Sequence, residues 1–472
     1  MKKIIISVAV IAAIGLIVPK FTGGFISQGL DDFIGTINEM PGYQANIEKR
    51  ETNWFSSSAV INVGIDPAMF ADLPMGQGDM EMFENFAAKI NFSAQHGPFL
   101  TLNGLGLGLS AWKADVDESV LREYLSYAEG EKFYSVVGNI GFFGGISYED
   151  IIPAFNVIVD EAGLEVDEAM SFSGWNGKGT ASSSQANYAG EMDTLVASGA
   201  GMTFEMKSVS IDMSIEGSWA DAIANVFYDS SSQFAIESIN FDMPLIETKA
   251  LIKNVVIDAS TEKSEDGKLM DMDINYSTAS IDIPQFQGRN LLMKMEINNL
   301  EKDFLKTYQE ASTKPAQMQQ AMADMIKNNL LAQLQVSPEI NITEMSGKVA
   351  DGNFSGKMLA KLTSIDSLPQ SLEDPAFWMS KAVVDSQLTL DKAMALWLGE
   401  QVVTSQLKAD PNAAQMTDEE IQTIAAQQVE SMIDMFTQQG MITVNADGGY
   451  DMTFSMQDSQ ALLNGNPMPL PF

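Results

Sequence analysis

Residues 202–215, MTFEMKSVSIDMSI, alternate apolar and polar side chains over fourteen positions. A period of two is typical of a β-strand with one face in water and the other buried. The same alternation recurs on both sides of this stretch, in residues 58–65 (SAVINVGI), 88–94 (AKINFSA), 269–276 (LMDMDINY) and 280–283 (SIDI). Turn signals such as Asn176-Gly177 and Asp266-Gly267 separate these segments. Residues 54–297 therefore predict an antiparallel meander, in which 58–65 and 88–94 are expected to pair, and the length of several segments favours an extended, twisted sheet over a small barrel. Residues 27–53 are expected to be a polar entry segment with helical tendency at 31–39.

The C-terminal part mixes helices with strands. Helical patterns cover residues 299–312, 315–334, 391–407 and 417–439. In the third pattern Met394, Trp397 and Leu398 are expected to face inward, and in the fourth a capping box at Thr417 opens the helix. The inward stripe of the fourth is expected at Ile421, Ile424/Ala425, Met432 and Met435/Phe436. Residues 339–349 and 354–362 predict a hairpin that turns at Asp351-Gly352.

The fold class that follows is α+β and dominated by strands, with amphipathic helices packed on a long antiparallel sheet. We divide the chain into residues 1–26 as a signal or anchor, 27–298 as the sheet body, and 299–472 as a mixed helix and hairpin region.

The N-terminus carries an export signal. Lys2 and Lys3 precede an apolar run at residues 4–18, followed by Pro19 and Lys20. As a helix this run is about 22 Å long, short of the roughly 30 Å hydrocarbon core, although residues 21–26 would extend it. It is either an uncleaved anchor or a cleaved signal peptide. Both place the body in the periplasm, with an inner-membrane, single-pass location in the first case and a soluble one in the second.

Composition narrows the function classes. The 472 residues include 63 acidic and 27 basic side chains, for a net charge of −36, so nucleic acid is not an expected partner. There is no cysteine and one histidine, which excludes thiolate metal sites and a histidine-rich metal centre within one chain. We predict no cofactor and no metal.

For each of three local motifs, a structural role explains the sequence better than a functional site does. The glycine-rich residues 104–109 (GLGLGL) lack a following helix, so a strand is favoured over a dinucleotide fingerprint. Asp271, Asp273 and Asn275 share the spacing of calcium ligands, but Tyr276 stands where the loop needs glycine. His96 is expected to hydrogen-bond backbone at a turn rather than to transfer protons. We predict no catalytic residue.

A set of short motifs resembles a known family. It consists of Tyr43, the segment Trp54-Phe55-Ser56-Ser57, the segment His96-Gly97-Pro98-Phe99, and a terminal Leu463-Asn464-Gly465 with Pro467-Met468. Together they resemble the YdgA-like proteins, which are inner-membrane-anchored proteins of Gram-negative bacteria. The resemblance implies location and architecture and supplies no catalytic residue, so Trp54, Phe55, Ser56, His96, Gly97, Pro98, Asn464 and Gly465 are family motif residues with an expected structural role.

Three functional hypotheses remain open. The first is a non-enzymatic envelope protein whose one-sided apolar sheet binds a lipid-like ligand or a partner protein near the inner membrane. The second is a scaffold that binds another envelope protein or a second copy as a homodimer. The third is a hydrolase of envelope polymer that uses two close carboxylates, one of them buried. An open apolar trough would favour the first, and a filled sheet face the second.

Overall fold

A computed structural model describes most of the chain. The described residues are 26–39, 43–65, 87–97, 99–116, 121–123, 125–157, 169–199, 201–217, 228–243, 248–284, 286–312, 318–363, 365–409 and 416–468. The chain divides into two compact units. The first unit comprises Met1–Glu247, Ser260–Lys263 and Lys302–Asn328, and the second comprises Thr248–Ala259, Ser264–Glu301 and Asn329–Phe472.

Strands make up most of the described chain. Up to residue 243 they are β1 (Tyr43–Thr52), β2 (Ser56–Ile65), β3 (Ala87–His96), β4 (Phe99–Leu100), β5 (Gly106–Leu107), β6 (Ser110–Val116), β7 (Leu125–Ser126), β8 (Ser135–Ile140), β9 (Ile146–Ile152), β10 (Phe155–Val157), β11 (Ala169–Phe172), β12 (Trp175–Ala181), β13 (Gln185–Gly199), β14 (Met202–Glu216) and β15 (Asp229–Met243). After residue 247 they are β16 (Thr248–Lys263), β17 (Leu269–Ile283), β18 (Phe286–Glu301), β19 (Glu339–Val349), β20 (Gly352–Leu362), β21 (Ala382–Leu390), β22 (Thr443–Val444), β23 (Tyr450–Gln457), β24 (Gln460–Leu463) and β25 (Asn466–Met468).

Helices are fewer. They are α1 (Ile26–Glu39), α2 (Lys302–Ser312), α3 (Met318–Gln335), α4 (Pro375–Lys381), α5 (Lys392–Ala409) and α6 (Asp418–Gln438), with a 3-10 turn at Leu121–Glu123. Among the described helices, none is both long enough and apolar enough to cross a bilayer. The predicted signal or anchor lies almost wholly outside the described residues, which begin at Ile26.

The first unit is the predicted antiparallel meander. Its strands pair in the order β1-β2-β3-β6-β8-β9-β12-β13-β14-β15, every pair antiparallel. The expected partnership of residues 58–65 with 88–94 is confirmed, with Ser58 opposite Ser93 and Val60 opposite Asn91. A side branch continues from β13 through β11 and β10 to β7.

Helix α1 covers one face of this sheet. Leu30, Phe33 and Ile37 recur at helical spacing and are each at most 2% exposed. They join a core built from the inward residues of the strands, including Ile61, Val63, Ile90, Phe92, Trp112, Val116 and Val136. Trp112 lies across Gly138, where an added Cβ would overlap its ring. Helix α1 and these strands therefore enclose one apolar core.

The strands of the second unit are also antiparallel. Its pairs run β17-β18-β19-β20-β21-β23-β24-β25. Helix α5 lies against β20 and β21. Helix α6 packs on α5 through Ala395, Val429 and Ile433. An added Cβ on Gly399 would overlap Val429, so the two helices approach closely because this position has no side chain.

Several local predictions are confirmed. The capping box opens α6, with the Thr417 hydroxyl accepting from Glu420 N at 3.3 Å and the Glu420 carboxylate accepting from Thr417 N at 2.9 Å. The turn at Asp266-Gly267 is present, and Gly267 N–H donates to Ser264 O at 2.9 Å.

Other predictions need correction. Residues 299–301 belong to β18 rather than to a helix, and residues 269–283 form one strand instead of two. The buried stripe of α6 is Ile421, Ala425, Val429 and Ile433, whereas Met435 is 45% exposed. The loop of the β19–β20 hairpin is Ala350-Asp351, because Gly352 already pairs with Val349.

Two strands were not predicted correctly from the sequence pattern. Residues 43–52, expected to be a polar entry segment, form β1, whose mostly polar side chains hide the alternation. Asn176-Gly177 was expected to be a turn but lies inside β12. The glycine serves packing instead, because a Cβ there would overlap the side chains of Asp150 and Tyr188.

Candidate functional site

An apolar cavity lies within the second unit. Its volume is about 640 Å³. The wall is formed by side chains of β16 to β21, and α5 contributes Met394, Trp397 and Leu398. The remaining apolar contributions come from Ile252, Val255, Val256 and Ile257 on β16, Tyr276 and Ile281 on β17, Phe286 and Leu291 to Met293 on β18, Met345 and Val349 on β19, Phe354 on β20, and Leu388 and Leu390 on β21.

The chemistry of the lining is almost uniformly hydrocarbon. The lining residues that carry an N–H or O–H group on the side chain are Tyr276, Ser277, Thr278, Ser346 and Trp397. No residue that lines the cavity carries a charge. The volume lies within the roughly 300–1,000 Å³ that is usual for small-molecule sites, which are mostly apolar with a few polar groups that orient the ligand. The cavity is suited to a hydrocarbon that carries at most weakly polar atoms.

Irregular pairing accompanies this wall. The register between β18 and β19 shifts between the pairs at Arg289 and Leu292, and that between β19 and β20 shifts between Ile342 and Met345. Asn290 has φ 48°, which breaks the regular pleat. Such bulges bend a strand and increase its twist. The break also brings three consecutive apolar residues, Leu291 to Met293, to the cavity lining.

Helix α5 is held in place at its first turn. Its cap is Asp391, whose carboxylate accepts hydrogen bonds from Met394 N at 2.8 Å and from Asn353 N at 2.7 Å. Burial raises the pKa of Asp391, but these hydrogen bonds outweigh it and the pKa lies below its usual value. Gly352 lies directly against Met394, where a Cβ would overlap the helix backbone. The helix therefore closes the cavity from a fixed position.

The inward face of α5 was predicted in part. Met394 is 7% exposed, and Trp397 meets Phe286 edge to face with ring centroids 6.1 Å apart. Leu398 lines the cavity while remaining 40% exposed. The cavity as a whole was missed, although runs such as Val255 to Ile257 interrupt the alternation and are its available signal.

Most of the motif residues in the first half of the chain meet at one turn. The ring of His96 places Nδ1 3.2 Å from Trp54 O and Nε2 3.1 Å from the hydroxyl of Ser57. A carbonyl can only accept, so Nδ1 carries the proton and Nε2 accepts from the Ser57 hydroxyl in the neutral ring. Ser56 begins β2. The expected bond from the ring to backbone is present.

Glycine 97 has a steric role beside this turn. A Cβ there would overlap the carbonyl oxygen of Gly108. Pro98 lies outside the described residues. The remaining motif residues are in the second unit, where Asn464 (φ 50°) and Gly465 (φ 77°) form the two-residue turn between β24 and β25. The Asn464 side chain accepts from Thr453 N at 2.7 Å and donates to Gly440 O at 2.9 Å.

The first unit also holds a buried carboxyl group. Asp150 follows Ile146 and Tyr148 on the inward face of β9 and is 5% exposed. Its Oδ2 accepts from the Tyr188 hydroxyl at 3.3 Å, which in turn accepts from Trp175 Nε1 at 2.9 Å, whereas Oδ1 has no hydrogen-bond partner. Burial raises the pKa of Asp150 to about 6, although the hydrogen bonds from Tyr188 and Trp175 lower it.

The side chains around Asp150 are aromatic. Tyr148 stacks on Tyr188 with ring centroids 6.2 Å apart, and burial raises the pKa of both phenols. The side chains that shift the pKa of Asp150 through hydrogen bonds are Tyr188 and Trp175, and neither is a carboxylate. Within the described part of the chain, no group of three or more acidic or histidine side chains is placed to hold a metal ion. Asp271, Asp273 and Asn275 lie in β17.

Comparison with known families covers nearly the whole chain. A family model described as "Bacterial protein of unknown function (DUF945)" matches residues 1–471. No curated protein and no solved structure matches the chain.

Proposed function

We propose, from the premise that the chain belongs to the DUF945 family of bacterial proteins, that it is a non-catalytic envelope protein that binds a lipid-like ligand in the cavity of its second unit. The body faces the periplasm in this proposal. Residues 4–18 anchor it to the inner membrane, as the resemblance to the YdgA-like proteins implies.

The uncharged cavity under α5 is the observation that carries the proposal. The cavity in the second unit leaves about 640 Å³ open between apolar side chains. Each methylene moved from water into such a space contributes about 0.8 kcal/mol before the cost of association is subtracted. A chain of methylenes is the ligand class that gains most from these walls.

The hydroxyls limit the polar part of the ligand. Ser277 and Thr278 can each satisfy one oxygen of an ester, alcohol or protonated acid inside the cavity, whereas the Ser346 hydroxyl donates to the Glu344 carboxylate at 3.4 Å. Thr278 already donates to Lys253 O at 2.9 Å, so its oxygen is left to accept. A charged head group has no counter-charge in the lining and is expected to remain outside in water.

The test is binding of a fluorescent fatty acid to delipidated protein. In the variant Leu388→Trp the larger indole takes up part of the cavity that Leu388 lines, and we expect the affinity to fall at least about tenfold, or about 1.4 kcal/mol. The matched control is Gln387→Trp. Gln387 is exposed on β21 between residues of the opposite face, so the same indole enters water there.

The two variants separate binding from folding. Both are expected to keep the circular dichroism spectrum of the original chain. Saturable uptake that only Leu388→Trp weakens supports the proposal, as does a lipid recovered from gently purified protein by mass spectrometry. Absence of uptake together with a clean organic extract, or equal loss in both variants, contradicts it.

A further inference from the structure

Three loops meet at one end of the first unit. The turn after β1, the segment from β4 to β6, and the β8–β9 turn are joined by backbone hydrogen bonds. His96 N donates to Phe55 O at 2.8 Å, Gly97 N donates to Leu109 O at 2.7 Å, and Leu109 N donates to Ile140 O at 2.8 Å. The three loops therefore form one continuous surface.

This surface presents large apolar side chains to water. Six of them are at least 65% exposed, and we call them the tip surface: Trp54, Phe55, Phe99, Leu105, Leu107 and Phe143. Leu105 and Phe143 are almost wholly free of protein contact. Single exposed apolar residues are ordinary on soluble proteins, but a contiguous group of aromatic and leucine side chains marks an interaction site.

Side-chain hydrogen bonds fix the loops that carry the tip surface. The His96 ring spans Trp54 O and the Ser57 hydroxyl. The side chain of Gln95 accepts from Thr101 N at 2.7 Å, and that of Asn103 donates to Trp112 O at 3.0 Å and to Gly138 O at 2.9 Å. The exposed side chains are therefore held outward by bonds beneath them.

Two of the three loops carry no charge. Residues 97–112 and 133–148 contain no Asp, Glu, Lys or Arg, although the chain has 63 acidic and 27 basic residues. The charged side chains just before Trp54 are paired, Lys49 with Glu51 and Arg50 with Asp31. These loops therefore lack the excess of negative charge that repels anionic head groups from most of such a chain. Tryptophan and phenylalanine are also side chains that settle at the boundary between head groups and acyl chains.

The start of the described chain points to the same end. Helix α1 runs antiparallel to β1, since Arg50 Nη1 donates to Asp31 Oδ2 at 3.1 Å and Ala45 N donates to Asn38 Oδ1 at 2.7 Å. Asp31 is near the beginning of α1, and Arg50 is near the end of β1, just before Trp54. The chain therefore enters α1 at the end where the tip surface lies, directly after the apolar run at residues 4–18.

We propose that the tip surface docks on the lipid bilayer, with its aromatic and leucine side chains inserted at the level of the head groups. The predicted anchor would hold the unit at the membrane, and the tip surface would set its orientation. This inference concerns the first unit only and does not rest on ligand binding in the second.

Cysteine labelling tests the docking in the full chain, which has no cysteine of its own. The protein is reconstituted in vesicles of phosphatidylcholine and phosphatidylethanolamine, with an environment-sensitive fluorophore on Phe143→Cys. The matched control is Glu131→Cys. Glu131 is exposed and precedes β8, whereas residue 143 follows it, so the two labels lie at opposite ends of that strand.

The label at position 143 is expected to shift its emission to the blue and to be quenched several-fold more strongly by nitroxide-bearing lipids than the label at position 131. Equal, water-like emission and equal iodide quenching at both positions would overturn the proposal. A label at 143 that is shielded from iodide but not reached by lipid quenchers would also overturn it, because a second copy or residues 1–25 would then cover the tip surface.

Discussion

Replacement of Asp150 by asparagine should change how the stability of the first unit depends on pH. Burial raises the pKa of this carboxyl group from 3.8 to about 6, so the folded state binds its proton more tightly than the unfolded state. A raised folded pKa stabilises the fold at low pH, and that contribution is lost as pH rises from about 4 through about 6. The shift of about two units corresponds to roughly 3 kcal/mol by pH 7.5.

The variant removes this term because asparagine stays neutral. Its side-chain oxygen can still accept from the Tyr188 hydroxyl, as Asp150 Oδ2 does. The difference in unfolding free energy between Asp150→Asn and the original chain should therefore move by roughly 3 kcal/mol in favour of the variant between pH 4 and pH 7.5. The neighbouring tyrosines do not contribute, because burial raises their pKa values above their usual ones.

Urea unfolding at several pH values, followed by tryptophan fluorescence, measures this difference. The matched control is Glu149→Gln on the same strand, because Glu149 is exposed and pairs with Lys178 at 3.3 Å in water. Its difference from the original chain should vary little with pH. If Asp150→Asn shows the same difference at pH 4 as at pH 7.5, the carboxyl group is not held in an apolar environment and the reasoning is wrong.

Three further changes test other parts of the structure. Gly97→Ala should lower the melting temperature and leave the tip surface more open to protease, because the added methyl overlaps Gly108; Gly104→Ala, with open space around its Cβ but φ 102°, measures the backbone cost alone. Asp391→Ala should cost about 1–2 kcal/mol of stability through loss of the α5 cap and should weaken fatty-acid uptake, whereas an unchanged affinity would mean that α5 does not close the cavity. Gly399→Leu should separate α5 from α6 and lower stability by several kcal/mol in urea unfolding, and a neutral result would show that the two helices are not in contact.

Much of the fold could be predicted from alternating apolar and polar residues, because a strand that covers a core buries every second side chain. The strands β2 and β3 bury alternate residues and pair with each other. The strand β14 has the same sequence pattern and pairs with β13, although most of its residues are only half-buried. The pattern fails where burial does not dictate the residue type. β1 is mostly polar and was read as an entry segment, although nine of its residues pair with β2.

The candidate site was harder to predict for a related reason. A lone apolar side chain in a strand looks the same whether it faces a packed core or an open cavity. The sequence feature that marks the cavity is Asn290 followed by three apolar residues at 291–293. At this point the regular alternation of the strand is broken. The role of α5 was predicted correctly at Met394 because helical periodicity does not depend on what the helix covers. The tip surface carries no period at all, so only the structure brings its loops together.

The residues with left-handed backbone conformation inside the long strands affect how readily the protein aggregates at high concentration. Strands of 15 or 16 residues extend about 50 Å, and flat, regular strands of that length would stack readily into intermolecular cross-β assemblies. Ser208, Asn254 and Asn290 each adopt a left-handed backbone conformation in mid-strand. Such kinks prevent a neighbouring molecule from matching the strand over its length. Replacing Ser208 or Asn254, which do not line the cavity, with a β-branched residue should therefore shorten the lag time of aggregation.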